Sequence, residues 1–187
     1  GWPTGGGMAG IRESRQLEIL TQVFQNRLMD KLREKLGEAY SPQVINSWPT
    51  ELDGGGIIFA LANLQPKTVP VFFTLSEEIA TDLVNNPIGA DELARATEPL
   101  KQQLTRATSS SNFFMILIEG ATSDPARYRT VRNVLSDYTE TTPEAMQALA
   151  RKYFAPGKSW RVAVIPQGQS LATLPVPAGI AAPATRR

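Results

Sequence analysis

Two side chains seven positions apart raise the question of chemistry in this chain. Arg33 lies in the stretch RLMDKLREKLGEAYSP, residues 27–42, and Tyr40 follows it across Gly37. A guanidinium is a permanently charged hydrogen-bond donor, and a phenol donates while staying neutral at pH 7. Such a pair can hold an electron-rich group; it cannot attack one. Each residue also has a plain reading. An arginine near a helix C-terminus offsets the helix dipole, and a half-buried strand tyrosine satisfies its own hydroxyl. The residues alone leave both readings open.

What the chain lacks narrows the choice. It has no cysteine and no histidine. Disulfides, thiol catalysis, His or Cys ligation of zinc, and a histidine general base are therefore excluded. The carboxylates form no D-x-[DN]-x-[DN]-G array, and there is no Gly-rich GK[ST] phosphate loop. Most hydrolytic mechanisms are closed to this chain by itself, so any part it takes in catalysis is a supporting one. A net charge of +1 gives no reason to expect nucleic acid or an anionic membrane as partner. No apolar run reaches the roughly 18 residues that span a bilayer. The 187 residues, 42% hydrophobic and 20% charged, fit one ordinary globular domain. The chain opens GWPTGGG without an initiator Met and reads as part of a longer protein.

The elements that must carry Arg33 and Tyr40 follow from periodicity. Trp2 and Pro3 begin a short strand that loses order through Gly5, Gly6 and Gly7. A helix is predicted over 11–36, with Leu20, Phe24, Leu28, Leu32 and Leu36 recurring every four residues and Leu17 and Val23 widening the stripe. Arg12, Glu13, Arg15, Asp30, Lys31 and Lys35 fill its other side, and Gly37 stops it. Residues 40–50 and 55–64 read as a β-hairpin around PTELDGGG, where glycines 54–56 permit a bulge or a close backbone approach. Helices are predicted over 67–85, with Pro70 in the first turn, and over 90–107, with Pro99 inside. SSSNFFMILIEGA continues as a helix or apolar segment with Ser109 or Ser110 at its start. Phe113, Phe114 and Met115 are read as core. A further helix begins at Asp124, its Arg127, Arg129 and Arg132 forming a solvated face. Another follows Thr142, with Pro143 first and Ala145, Leu149 and Phe154 inward. SWRVAVIPQ, 159–167, is predicted as a last strand, and a mobile Pro/Ala-rich tail occupies 169–187. The order implies an α+β fold: a small, mostly antiparallel sheet with several helices packed on one face.

Helix, LREKLGEAYSP, then a hairpin: this passage resembles the C-terminal-type domain of the pitrilysin/insulinase family of zinc peptidases. The resemblance rests on Leu32, Arg33, Glu34, Gly37, Ala39, Tyr40 and Ser41. It extends to GIRESRQLEILTQVFQNRL upstream, to EEIATDLVNNPIGADELARATEPLKQQL, and to ALARKYFAPGKSWRVAVIPQG near the end, and so covers about residues 1–168. It implies a LuxS/MPP-like metallopeptidase fold. In that family a second, homologous domain carries H-x-x-E-H and zinc, a signature this chain cannot have.

From the resemblance follow the functional expectations. This chain would be the non-zinc domain that closes over a zinc-bearing H-x-x-E-H domain or subunit and encloses an extended peptide. Arg33 and Tyr40 would reach across to the substrate carbonyl and help stabilise the tetrahedral transition state. No cofactor is expected in this chain; zinc is expected in the partner. Exported bacterial relatives make a periplasmic location the expectation. Two other readings stand beside it: an inert scaffold subunit of the same family, and a self-contained peptide-binding module.

Overall fold

The computed structural model describes residues 1–36, 41–169 and 171. Ile11–Leu36 forms α1, the helix around which the rest is built. Leu17, Ile19, Leu20, Val23, Phe24, Leu28 and Leu32 are all fully buried on it. These positions exceed one stripe because α1 is flanked by the sheet on one side and by other helices on the others. That placement also overturns one expectation. Arg15, assigned to the polar side, is buried.

Three strands make an antiparallel sheet in the order β1-β3-β2. β1 is Trp2–Pro3, β2 is Gln43–Ser47 and β3 is Ile57–Leu61. The predicted hairpin is therefore present, with Ser47 opposite Ile57 and Gln43 opposite Leu61, but its strands are shorter than the sequence pattern. The glycine run does what close approach requires. The Thr4 amide donates to the Gly56 carbonyl and the Gly56 amide to the Gly5 carbonyl, each at 2.8 Å. A Cβ on Gly56 would collide with the Gly5 carbonyl oxygen, so only glycine fits.

The remaining helices are α2 (Val69–Asn85), α3 (Ala90–Ala107), α4 (Ser111–Ile118), α5 (Ala126–Arg132), α6 (Val134–Thr139) and α7 (Pro143–Tyr153). α2 buries Val71, Phe72, Leu75, Ile79 and Leu83 as its period demands. α3 runs through an exposed Pro99. α7 is capped as predicted: the Thr142 hydroxyl accepts from the Ala145 amide at 3.2 Å. An edge-to-face and tilted cluster of Trp2, Phe24 and Phe154, with centroids 5.1–5.6 Å apart, locks β1 to α1 and the end of α7.

Three expectations need correction. The helix predicted from Asp124 is two short helices, broken at Asn133. On α4 only Phe113 packs against the core, while Phe114 and Met115 are exposed. Ser110 is the N-cap residue of α4 as expected, although its side chain makes no capping hydrogen bond. Residues 159–167 form no strand. The reason is pairing: Trp160 exchanges both backbone hydrogen bonds with Gly1, at 2.9 Å each, and this single pair is not a ladder. The tail expected over 169–187 falls outside the described residues at 170 and from 172 on.

Candidate functional site at the end of the central helix

Arg33 lies in the last turn of α1. Arg33, Glu34 and Lys35 are all exposed. Three successive residues sweep about 200° of helix circumference, so most of this turn faces solvent while Leu36 packs against the core. The Arg33 guanidinium has one recorded ion pair, a 3.7 Å contact with Asp30 one turn back, and its side chain is 66% exposed. Lys31, also on α1, pairs with Glu78 on α2 at 3.6 Å.

The helix that carries Arg33 is held firmly. Arg27 grips Glu92 on α3 through Nε and Nη2, both at 2.7 Å, and Asp82 on α2 through Nη1 at 2.5 Å. A forked guanidinium–carboxylate contact fixes direction as well as distance. The Glu92 hydrogen bond raises the Arg27 pKa further, so the guanidinium stays charged. On the opposite flank the Gln25 side-chain Oε1 accepts from the Val44 amide at 3.0 Å, and the Asn46 side chain donates to the Ser14 backbone carbonyl at 3.1 Å. The first of these contacts satisfies one backbone amide on the free edge of β2. Together the two contacts show that α1 runs antiparallel to β2. Arg33, about 12 Å along the axis beyond Gln25, is thus carried past the start of β2. Tyr40 lies outside the described residues, as do Gly37 and Ala39. Arg33 is therefore placed and its predicted companion is not.

A surface the sequence reading missed lies on the sheet. Ile58 and Val44 point into the core. Their neighbours in the alternation, Ile45, Phe59 and Leu61, face away from the helices and are half-buried or exposed. Trp160, Val162 and Val164 extend this apolar face; Val162 is 68% and Val164 96% exposed. The alternation seen in SWRVAVIPQ is real, but its apolar side looks outward. Arg161 is the residue that turns back, its guanidinium 5.6 Å from the Phe73 ring centroid and 2.5 Å from Glu77. An antiparallel sheet open to water reads as polar on its outer face; here Gln43 and Ser47 are the polar members, and Ile45, Phe59 and Leu61 make an apolar patch of the kind that is built to be covered. The signal was the Val-x-Val spacing next to the apolar run in β3.

Beside that face a groove of about 470 Å³ opens between β3 with its continuation to Leu64, the first turns of α2, and residues 159–164. Its only acid is Glu77. Burial raises the Glu77 pKa, but hydrogen bonds from Arg161 and Ser159 outweigh it and hold the carboxyl below its usual range.

A second charged group is interior. Arg15 donates to Asp137 at 2.7 Å and to the Thr130 carbonyl at 2.8 Å. The Tyr138 hydroxyl donates to Glu18. Burial pushes the Glu18 carboxyl up, against the opposing pull of Tyr138 and Arg15. This group joins α1 to α5 and α6 and opens on no cavity described above. Among the described residues no three carboxylates come together where they could hold a metal ion. The donor set of this chain does not fit zinc.

No family model matches the sequence, and no curated protein matches it. Solved structures do match. The periplasmic protease PqqL from Escherichia coli has a TM-score of 0.63 at 17% identity, over 81% of this chain and 17% of that one. The peptidase M16 inactive domain from Pseudomonas fluorescens has a TM-score of 0.59 at 19% identity, over 81% and 37%. The fold is that of M16 peptidase domains. A chain of Complex III2 from Candida albicans is similar too, with a TM-score of 0.58 at 14% identity, over 81% and 39%. The chain thus spans two fifths or less of each of these structures' lengths. Its pitrilysin/insulinase resemblance is supported at the level of fold. Among the described residues no helix is long and apolar enough to cross a membrane.

Proposed function

We propose that this chain is the non-catalytic domain of a zinc metalloendopeptidase and closes over a zinc-bearing H-x-x-E-H domain around an extended peptide. The observation that carries the reading is Arg33 standing exposed at the end of a helix that Arg27 ties to α2 and α3, within an M16 fold. In this proposal Arg33 and Tyr40 donate to the substrate carbonyl as negative charge grows on its oxygen. Zinc, held by the partner, polarises that carbonyl when bound. The donors act only once the two domains meet, which makes closure a condition of turnover. A periplasmic location is part of the proposal, supported by the likeness to a periplasmic protease.

The rival is an inert scaffold subunit, and the likeness to a chain of Complex III2 favours it. Metal analysis of the assembly purified from its native source separates the two. The peptidase reading expects about one zinc per copy of this chain, in the partner polypeptide, and peptide cleavage lost on chelation. An assembly with neither zinc nor cleavage would make the chain a scaffold.

A further inference from the structure

The end of α2 and the start of α3 converge on one α1 side chain. Asp82 lies in the last turn of α2 and Glu92 in the first turn of α3, and Arg27 takes both. Every carboxylate oxygen of the two has a donor. Glu92 accepts from Arg27 Nε and Nη2. Asp82 accepts from Arg27 Nη1 on one oxygen and from the Asn86 side chain, at 2.6 Å, on the other. The same corner is tied to α7, since Gln147 and Arg151 donate to the Val84 carbonyl at 3.3 and 3.2 Å. Arg27 thus meets a docking point that is itself held, and its side chain is only 20% exposed.

This contact fixes something the core does not. Leu28 and Leu32 are fully buried and Leu36 packs on the core, but apolar burial is non-directional. It keeps α1 against its neighbours and sets its height and rotation less sharply. A forked guanidinium–carboxylate contact sets both. Arg33 stands six residues on, about 9 Å along the axis and about 120° round it. It therefore looks away from the corner while riding on the helix that the corner holds. Between the two, the Lys31–Glu78 pair is 3.6 Å long and about half exposed, too loose to fix a direction. The buried Arg15–Asp137 pair lies at the other end of α1, about 18 Å further back along the axis.

We propose that Arg27 is a positioning residue for the peptidase reaction: its fork to Glu92, completed by Asp82, sets the height and rotation at which α1 presents Arg33 to the substrate carbonyl. The inference rests on the reading of Arg33 as a donor in that reaction. A misplacement of about 1 Å can cost about 10²-fold in rate. Lysine in place of Arg27 keeps the charge and loses the fork.

A double-variant cycle in the assembled peptidase tests it. Arg27→Lys is expected to lower kcat about 10–10²-fold with KM little changed, and to cause no further loss when Arg33 is already alanine. Arg27→Met with Glu92→Leu removes the fork without leaving its carboxylate partner unpaired; it is expected to give the same pattern and serves if Arg27→Lys fails to fold. Arg15→Lys is the control. It weakens the buried pair at the far end of α1 and is expected to lower the melting temperature while kcat holds. A loss from Arg27→Lys that is as large in the Arg33→Ala background, or that Arg15→Lys matches, would make Arg27 a plain fold contact and overturn the proposal. A second readout is independent of catalysis. The chain has no cysteine, so Glu34→Cys with Glu98→Cys, both at exposed positions, carries one spin label on the end of α1 and one on α3. In the 187-residue chain Arg27→Lys is expected to shift the distance between the labels by about 1 Å or to widen its distribution. An unchanged distribution would contradict the proposal whatever the rates. Full turnover in Arg33→Ala would instead reject the donor reading itself, and the label distance would then decide alone whether Arg27 holds the helix end.

Discussion

Arg33 and Asp30 face each other across one turn of α1 at 3.7 Å, both about two-thirds exposed, and this is the one ion pair recorded for Arg33. An exposed pair at this spacing contributes a few tenths of a kcal/mol. Arg33→Ala is therefore expected to change the unfolding free energy by less than about 0.5 kcal/mol. Urea denaturation of the two proteins checks this. A loss of several kcal/mol would mean that Arg33 holds the fold together.

Arg15 is the contrasting case, since both it and Asp137 are buried. Arg15→Ala leaves the Asp137 carboxylate without its short contact, with only the exposed Arg12 remaining at 3.8 Å. The expected loss is about 3–5 kcal/mol. Replacing both by apolar residues, Arg15→Met with Asp137→Leu, is expected to cost less than Arg15→Ala alone, which a denaturant series on the three proteins reads directly.

Glu18 predicts a pH dependence. Its carboxyl is pushed up by burial in the folded chain, so between its ordinary pKa near 4.5 and its raised folded value the folded state binds more protons than the unfolded. Its contribution to stability is present below pH 4.5 and is lost as pH rises through the folded pKa. Glu18→Gln is expected to flatten this component of the stability curve. Thermal melts of both proteins from pH 4 to 8 check it; parallel curves would exclude Glu18.

The outward sheet face gives a prediction about assembly. Val162 and Val164 make little of the core, being largely exposed. Val162→Lys with Val164→Lys is expected to leave the melting temperature of the chain within about 2 °C, while lowering its retention by the zinc-bearing partner at least tenfold in a pull-down. Equal retention would show that this face stays uncovered.

Much of the fold was legible in the sequence because its signals are local. The period of four from Leu20 to Leu32, the Thr142-Pro143 start of α7 and the glycine at 56 each reflect a constraint within a few residues. What was misread depended on distant partners. Arg15 looked like a surface charge until α6 brought Asp137 to it. SWRVAVIPQ has a strand's alternation, but a strand needs a ladder, and Trp160 finds only Gly1. Phe114 and Met115 looked like core because apolar residues usually are, yet α4 packs chiefly on α5. Of the site, the helix end and its arginine were readable from LREKLG. The apolar outer face was not, because no single segment carries it: Ile45 comes from β2, Phe59 and Leu61 from β3, and the two valines from residues 160–164.

The most direct test of the account is turnover by the assembled peptidase with Arg33→Ala or Tyr40→Phe in this chain. Losing one preorganised donor to a developing oxyanion costs about 2.7–4 kcal/mol of barrier, so kcat/KM should fall about 10²–10³-fold in each variant, with zinc content and melting temperature unchanged. Full turnover in both variants would contradict the account and leave Arg33 as a helix-end charge.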